Sequence, residues 1–313
     1  MKEGHTTIFV VTDDVMTVEV RGPDRVRFLN GMLTNDVAGL EPGQGHFSVK
    51  ATNKGRTEGL LRVRVAPDAV FLDLDAASAE QVAGSLVRHL VSDDCELIDR
   101  SETWTTVRLV GVGASESLKT VGWPHGMPDM HWVEAEGHHV VRDLRFGVDG
   151  YELRVVREQL EDIRRRLRKA VTESEPEPLE VLRIEAGVPR YGYELSLDVI
   201  PMEAGLDYAI DYKKGCYIGQ ETIARATNLG GVRYGMVGFR FGPSVPDRGA
   251  DLFDAAEGKR VGEVTSTARS ERLQSNIGLG FVRLTHAKPE TRLVTDDGFE
   301  VTVTTLPHCA PTL

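Results

Sequence analysis

Lys213-Lys214-Gly215-Cys216-Tyr217-Ile218-Gly219-Gln220-Glu221-Thr222 sets one of the chain's three cysteines among two lysines and two glycines, just before a helix-like segment. Cationic neighbours and a helix N-terminus both favour the thiolate, the form that attacks electrophiles and binds metals. The competing reading is a buried structural thiol, although such cysteines more often lie in apolar runs. Two further stretches are polar where a core would be apolar. Asn35 and Asp36 follow a helix-like segment, where Asn and Asp either form a turn or line a polar pocket. Asn53-Lys54-Gly55-Arg56-Thr57-Glu58-Gly59 follows in the same part of the chain. In Arg183-Ile184-Glu185-Ala186-Gly187-Val188-Pro189-Arg190-Tyr191-Gly192, Glu185 is a carboxylate held at a helix end. Its alternative is an ion pair with Arg183 or Arg190, which at an exposed position contributes little.

Composition narrows the classes of function. The net charge of −11 argues against a non-specific nucleic-acid binder, because phosphate neutralisation needs a basic face. Cys95, Cys216 and Cys309 are dispersed, with no CxxC pair, so no permanent zinc or iron–sulfur site is expected from this chain alone. Such usage fits a reducing compartment. Met1 to Thr12 is too polar for a secretory segment, and no apolar run reaches membrane-spanning length. The expected location is the cytoplasm.

The elements that must position these residues follow from periodicity. Met16 to Val20 alternates like a half-buried strand, and Arg25 to Met32 reads as a helix. The plan returns at Thr105 to Val110 and Ser115. Strand-like Val70 to Leu74 precedes helical Ser78 to Val91, and Tyr151 to Val155 precedes Arg157 to Thr172, with apolar residues on one face of each helix. This duplicated order predicts an α+β body of helices on antiparallel sheet. Residues 173–178 form an acidic, proline-bearing connector to a helix at Leu179 to Ala186. Beyond Gly230 short alternating strands (Tyr234 to Phe241, Arg260 to Thr267, Ile277 to Leu284, Thr291 to Val294, Glu300 to Thr305) predict a small antiparallel barrel or sandwich. Length predicts about two domains.

A family resemblance rests on several of these stretches. Arg183-Ile184-Glu185-Ala186-Gly187, Tyr191-Gly192, Glu194-Leu195 and Pro201-Met202-Glu203-Ala204-Gly205-Leu206 resemble the folate-pocket region of the glycine-cleavage T-protein family of aminomethyltransferases. Arg145 to Leu153 is similar to that family's Gly-rich turn into a strand, and Leu33-Thr34-Asn35-Asp36-Val37 also has a counterpart there. The decapeptide around Cys216 instead resembles the signature of the related YgfZ-type folate-binding proteins. The resemblance covers nearly the whole chain.

It implies a T-protein-like folate-binding body over 1–230, with pseudo-repeated halves at about 1–100 and 101–175 closed by 176–230. A C-terminal barrel over 231–313 completes the expected architecture. It also implies tetrahydrofolate or a one-carbon derivative as ligand, bound by Glu185, Tyr191, Lys214, Asn35 and Asp36, with Tyr191 and Lys214 alternatively a packing residue and a solvated one. A carboxylate accepts the amino and N–H groups of a pterin as a paired hydrogen bond, which is the role implied for Glu185. The implied function is assistance to synthesis or repair of iron–sulfur clusters on client or assembly proteins, with Cys216 as the functional thiol. Lys213, Gly215, Tyr217, Gly219, Gln220 and Glu221 support that motif, Gln220 and Glu221 by capping the helix or bonding to backbone. The alternatives are a folate-dependent aminomethyl- or methyltransferase and a non-catalytic folate-binding scaffold. T-proteins keep an aspartate in a Gly-Gly-x-x-Asp-Asp strand start, where this chain has Glu58 followed by Gly59. Successive strand residues point to opposite faces, so register decides whether Glu58 faces the ligand.

Overall fold

The computed structural model describes residues 6–228 and 231–310. Strands β1 (Ile8–Thr12) and β2 (Val15–Arg21) lead into helix α1 (Arg25–Met32), followed by β3 (Gly45–Ala51), β4 (Thr57–Val65) and β5 (Ala69–Asp75). Helix α2 (Ala76–His89), β6 (Glu96–Asp99), β7 (Trp104–Val110) and α3 (Ala114–Thr120) come next. Strands β8 (Trp132–Ala135), β9 (His138–Arg142) and β10 (Gly150–Val156) precede α4 (Leu160–Leu167), β11 (Thr172–Glu173) and α5 (Glu177–Ala186). After an irregular stretch come α6 (Gln220–Asn228) and strands β12 (Tyr234–Phe241), β13 (Asp251–Asp254), β14 (Arg260–Ser270), β15 (Ser275–Arg283), β16 (Arg292–Thr295) and β17 (Glu300–Thr304).

The body contains two sheets with strand orders β3-β4-β5-β2-β6 and β11-β1-β7-β10-β9-β8. Alternation along each strand decides what each face meets. On β4, Leu61, Val63 and Val65 join Val82 and Leu86 of α2 and Phe28 and Leu29 of α1 in one apolar core. On β10, Tyr151, Leu153 and Val155 join Ile163 and Leu167 of α4 in a second. The intervening residues, Arg62 and Arg64 on β4 and Glu152 and Arg154 on β10, are buried as well. They meet across the gap between the sheets.

The C-terminal strands close a barrel in the order β12-β15-β14-β13-β16-β17, with β17 returning to β12. Sequence periodicity located each of these strands except β13, whose Asp-Leu-Phe-Asp buries Leu252 alone. The expected helix at Arg157 to Thr172 is a 3-10 turn at Arg157–Gln159 and then α4, which ends at Leu167. The acidic connector is more ordered than its composition suggests, since β11 and α5 begin within or beside it. Residues 229 and 230, where the domain boundary is expected, lie outside the described residues. The barrel and body interlock through Glu194, which is 0% exposed. Its carboxylate accepts from Arg183 Nη1 at 2.9 Å, Thr265 Oγ1 at 2.7 Å and Ser266 Oγ at 2.6 Å. Among the described residues no helix is long and apolar enough to cross a membrane.

Candidate functional site

A layer of buried charge lies where the two body sheets face each other. Glu152, 1% exposed, accepts from Arg62 Nη1 at 3.0 Å, Arg108 Nε at 3.1 Å, Arg145 Nη2 at 2.8 Å and Arg154 Nη2 at 2.8 Å. Burial alone would raise its pKa, but the guanidiniums of Arg62, Arg154, Arg108 and Arg145 hold it well below the usual carboxylate range. Asp73 is held down in the same way against its own desolvation, by Arg154, Arg64 and Arg62. Arg64 donates Nε and Nη2 to Asp73 at 2.8 and 3.0 Å, and its Nη1 lies 2.8 Å from His139 Nδ1. Burial and the adjacent guanidinium push His139 down to about 3, so the imidazole stays neutral and Nδ1 accepts.

Above this layer opens a cavity of about 160 Å³. Phe47 and Leu60 line it from β3 and β4, and Tyr191, Leu195 and Tyr208 from the segment after α5. Phe146, Val188 and Pro189 add further apolar surface. Its polar lining includes Asp14, Asp75, Glu180 and Arg190 together with the buried Arg62, Asp73, Glu152 and Arg154. Apolar walls over a few fixed polar groups suit a planar heterocycle with hydrogen-bonding edges. Arg145 and Phe146 also line a second cavity, of about 150 Å³, with Arg272 and Cys309.

The residues singled out by the sequence are spread around this centre. Tyr191 lines the central cavity, and its hydroxyl accepts from Gln81 Nε2 at 3.1 Å. Glu58 sits at an irregularity of the β3–β4 ladder, where Lys50 pairs with Gly59 and Ala51 with Thr57, and it is absent from the central cavity's lining; Lys50 Nζ donates to it at 2.9 Å. Gly59 faces α2, where a Cβ would stand 2.7 Å from Val82 Cγ2. Glu185 points toward the barrel and is not among the central cavity's lining residues. It accepts from Ser270 Oγ and Cys309 Sγ, and Arg272 lies 3.6 Å away. The alternative reading names Arg183 or Arg190 as its ion-pair partner, and Glu185 instead pairs with Arg272. Arg183 and Arg190 pair with Glu180, and Arg183 also with Glu194.

Asn35 and Asp36 form a turn and are absent from the cavity lining. Asn35 Oδ1 accepts from the Asp36 amide at 3.0 Å, and Asp36 Oδ1 accepts from the Ala38 amide at 3.1 Å. Lys214 also lies outside that lining. Its ammonium donates to the carbonyls of Asn30, Leu33 and Asn35 at 2.7, 2.9 and 2.8 Å, closing the end of α1. Burial lowers its pKa to about 8.

Cys216 is exposed, one residue before the buried Tyr217. Gly219 has φ +87°, and a Cβ there would lie 2.5 Å from the Thr52 carbonyl oxygen, so both the turn and the close approach require glycine. The expected capping by Gln220 and Glu221 is not found: among the described residues neither side chain makes a hydrogen bond. Lys214 and Gly219 hold the loop instead, while Lys213 is exposed with its amide bonded to Asp211. Gly215 has open space around its Cα. Sequence reasoning missed Arg62, Asp73, Asp75, Arg108 and Glu152. Their signal was present as charge alternating with apolar residues on β4, β5, β7 and β10, a pattern that reads equally as a solvent face.

Comparison with known proteins agrees with this architecture. Residues 8–214 match the GCVT N-terminal domain, and residues 235–308 match the glycine cleavage T-protein C-terminal barrel domain. The aminomethyltransferase of Mycobacterium tuberculosis strain H37Rv is 30% identical over 274 residues, covering 84% of this chain and 74% of its own. That of Rubrobacter xylanophilus is 30% identical over 297 residues, covering 91% and 76%. The crystal structure of glycine cleavage system aminomethyltransferase T from Bartonella henselae superposes with a TM-score of 0.91 at 24% identity, covering 98% of this chain and 87% of that one. With both domain matches in chain order on one continuous fold, the chain belongs to the GCVT family, that of the glycine-cleavage T-protein.

Proposed function

We propose that this protein binds tetrahydrofolate, or a one-carbon derivative of it, in the central cavity and acts on the one-carbon unit as a T-protein-like transferase. The observation that carries the reading is the cavity itself, with Phe47, Phe146 and Tyr191 over a bed of fixed charge. Relatives named aminomethyltransferase, at 30% identity over 84% of the chain, support the same reading. When bound, the folate supplies the nitrogens that carry the one-carbon unit. The chain's own residues bind and orient it. Tyr191, its hydroxyl tied to Gln81, offers a ring face. Glu58, on the strand that carries Leu60 and paired with Lys50 at 2.9 Å, is the carboxylate proposed to act on the ligand. Glu185, if it engages a pterin, exchanges its Ser270 and Arg272 contacts to do so. Arg145 and Phe146 border both cavities and connect that neighbourhood to the central one.

The test is to incubate pure protein with tetrahydrofolate and candidate aminomethyl donors. Methylene-tetrahydrofolate should form at enzyme-like rates and fall with Glu58→Gln. No turnover despite measurable folate binding would end the transferase reading.

One observation favours a second reading. Cys216 is an exposed thiol on a loop fixed by Lys214, which suits transient contact with a cluster or sulfur species on another protein. On this YgfZ-type reading the protein assists iron–sulfur synthesis or repair in clients and owns no cluster. Among the described residues no group of three or more potential ligands is placed to hold a metal. If neither chemistry is found and folate binding persists, a folate-binding scaffold remains.

A further inference from the structure

The carboxylates lining the central cavity differ in one respect. Asp14 accepts from Arg108, Asp73 from Arg64, Glu152 from four arginines and Glu180 from Arg183. Asp75 makes no ion pair among the described residues. Its Oδ1 accepts the Ala77 amide at 2.9 Å, capping α2, and that is the carboxylate's sole hydrogen bond among the described residues. Oδ2 has no hydrogen-bond partner among the described residues, and Asp75 lines the cavity. Asp75 lies two residues beyond Asp73 on β5, on the same face and about 7 Å farther along the strand.

Arg62, the cross-strand partner of Asp73 on the neighbouring strand β4, supplies a complementary group. Arg62 is 2% exposed and lines the cavity, yet its Nε–H has no partner. Buried polar groups without partners are rare, and one at a cavity wall points to an absent acceptor. The cavity thus offers an acceptor at Asp75 and a donor at Arg62. A ligand filling it carries N–H groups and a carbonyl oxygen along its edge. The anionic tail of a folate would be repelled by Asp75, whereas the reduced pteridine carries several N–H donors.

We infer that Asp75 is a ligand-binding residue that accepts an N–H of the pteridine, with Arg62 Nε–H directed at a ligand oxygen. This rests on the folate reading above and goes beyond it by orienting the ligand: pteridine toward β5, tail away from it. Burial raises the pKa of Asp75, which fits a carboxylate waiting for a donor rather than one already paired.

The experiment is calorimetric titration of the full chain with tetrahydrofolate under anaerobic conditions, alongside thermal melts. Asp75→Asn and Asp75→Ser both keep an acceptor for the α2 cap and remove the charge. Each is expected to weaken binding by about tenfold, as loss of a charge-assisted hydrogen bond does, without lowering the melting temperature. Unchanged affinity in both variants overturns the inference and leaves the folate reading intact. Weaker binding with a lower melting temperature assigns Asp75 a structural role and also overturns it. If the unaltered protein does not bind tetrahydrofolate, the folate reading falls and takes the inference with it.

Discussion

The Lys214 ammonium lies 2.8 Å from the carbonyl oxygen of Asn35, joining the loop that carries Cys216 to the turn after α1. The same ammonium takes the carbonyls of Asn30 and Leu33, so one side chain holds three backbone acceptors. Replacing Lys214 by Met should cost about 3 kcal/mol, since a charged donor is lost and carbonyls are left unpaired. Thiol labelling of Cys216 should accelerate as the loop loosens. With a folded pKa of about 8 against 10.5, the native state holds fewer protons than the unfolded chain between those values. The stability advantage over the Met variant should therefore grow from pH 8 to 10, measured by urea denaturation.

Glu152→Gln should be among the most damaging single substitutions. It removes the one charge shared by Arg62, Arg108, Arg145 and Arg154, and breaking a buried ion pair costs about 3–5 kcal/mol. Because its folded pKa is depressed, the stability it supplies is present above the unfolded value of 4.5 and is lost as pH falls through the folded one. Urea melts at pH 7 and at pH 3 should show the gap between variant and wild type narrowing in acid.

Asp75→Asn should raise the melting temperature at pH 7. The folded pKa of Asp75 lies above 3.8, so its favourable contribution is present below that value and is lost as pH rises and the half-buried carboxylate ionises. Asparagine retains the α2 cap without the half-buried charge. Scanning calorimetry at pH 7 and pH 3 should find the gain at the higher pH alone.

Cys216→Ala should change stability by less than about 0.5 kcal/mol, because the thiol is exposed and away from the packed cores. That silence makes it a clean separator of functions. Normal methylene-tetrahydrofolate formation by the variant, with normal iron–sulfur enzyme activity in cells relying on it, would remove the thiol from both roles.

How far the sequence could be read depended on what each strand face meets. The apolar faces of β4 and β10 stand opposite helices, so Leu61, Val63, Leu153 and Val155 announced themselves by alternation. Arg62, Arg64, Glu152 and Arg154 alternate just as regularly. Each set alone is what a solvated face looks like, and only the pairing of the two sheets turns both into an interior. Tyr191 was found through its motif and does line the cavity. The contacts of Lys214 were hidden because nothing local reveals carbonyls brought to it from Asn30 to Asn35. Register is equally a property of the folded sheet: the break in pairing between Lys50 and Ala51 suspends the alternation at Glu58, which the sequence does not reveal.

Glu194 gives the chain's architecture a historical consequence. Its single carboxylate is divided among Arg183 of α5 and Thr265 and Ser266 of β14, with no exposure to solvent. A chimera taking its barrel from a relative without both hydroxyls would leave Glu194 Oε1 buried without a donor at the graft, while Oε2 kept Arg183 and the Arg190 amide. The boundary expected near residue 230 would thus divide the sequence without dividing the packing around Glu194.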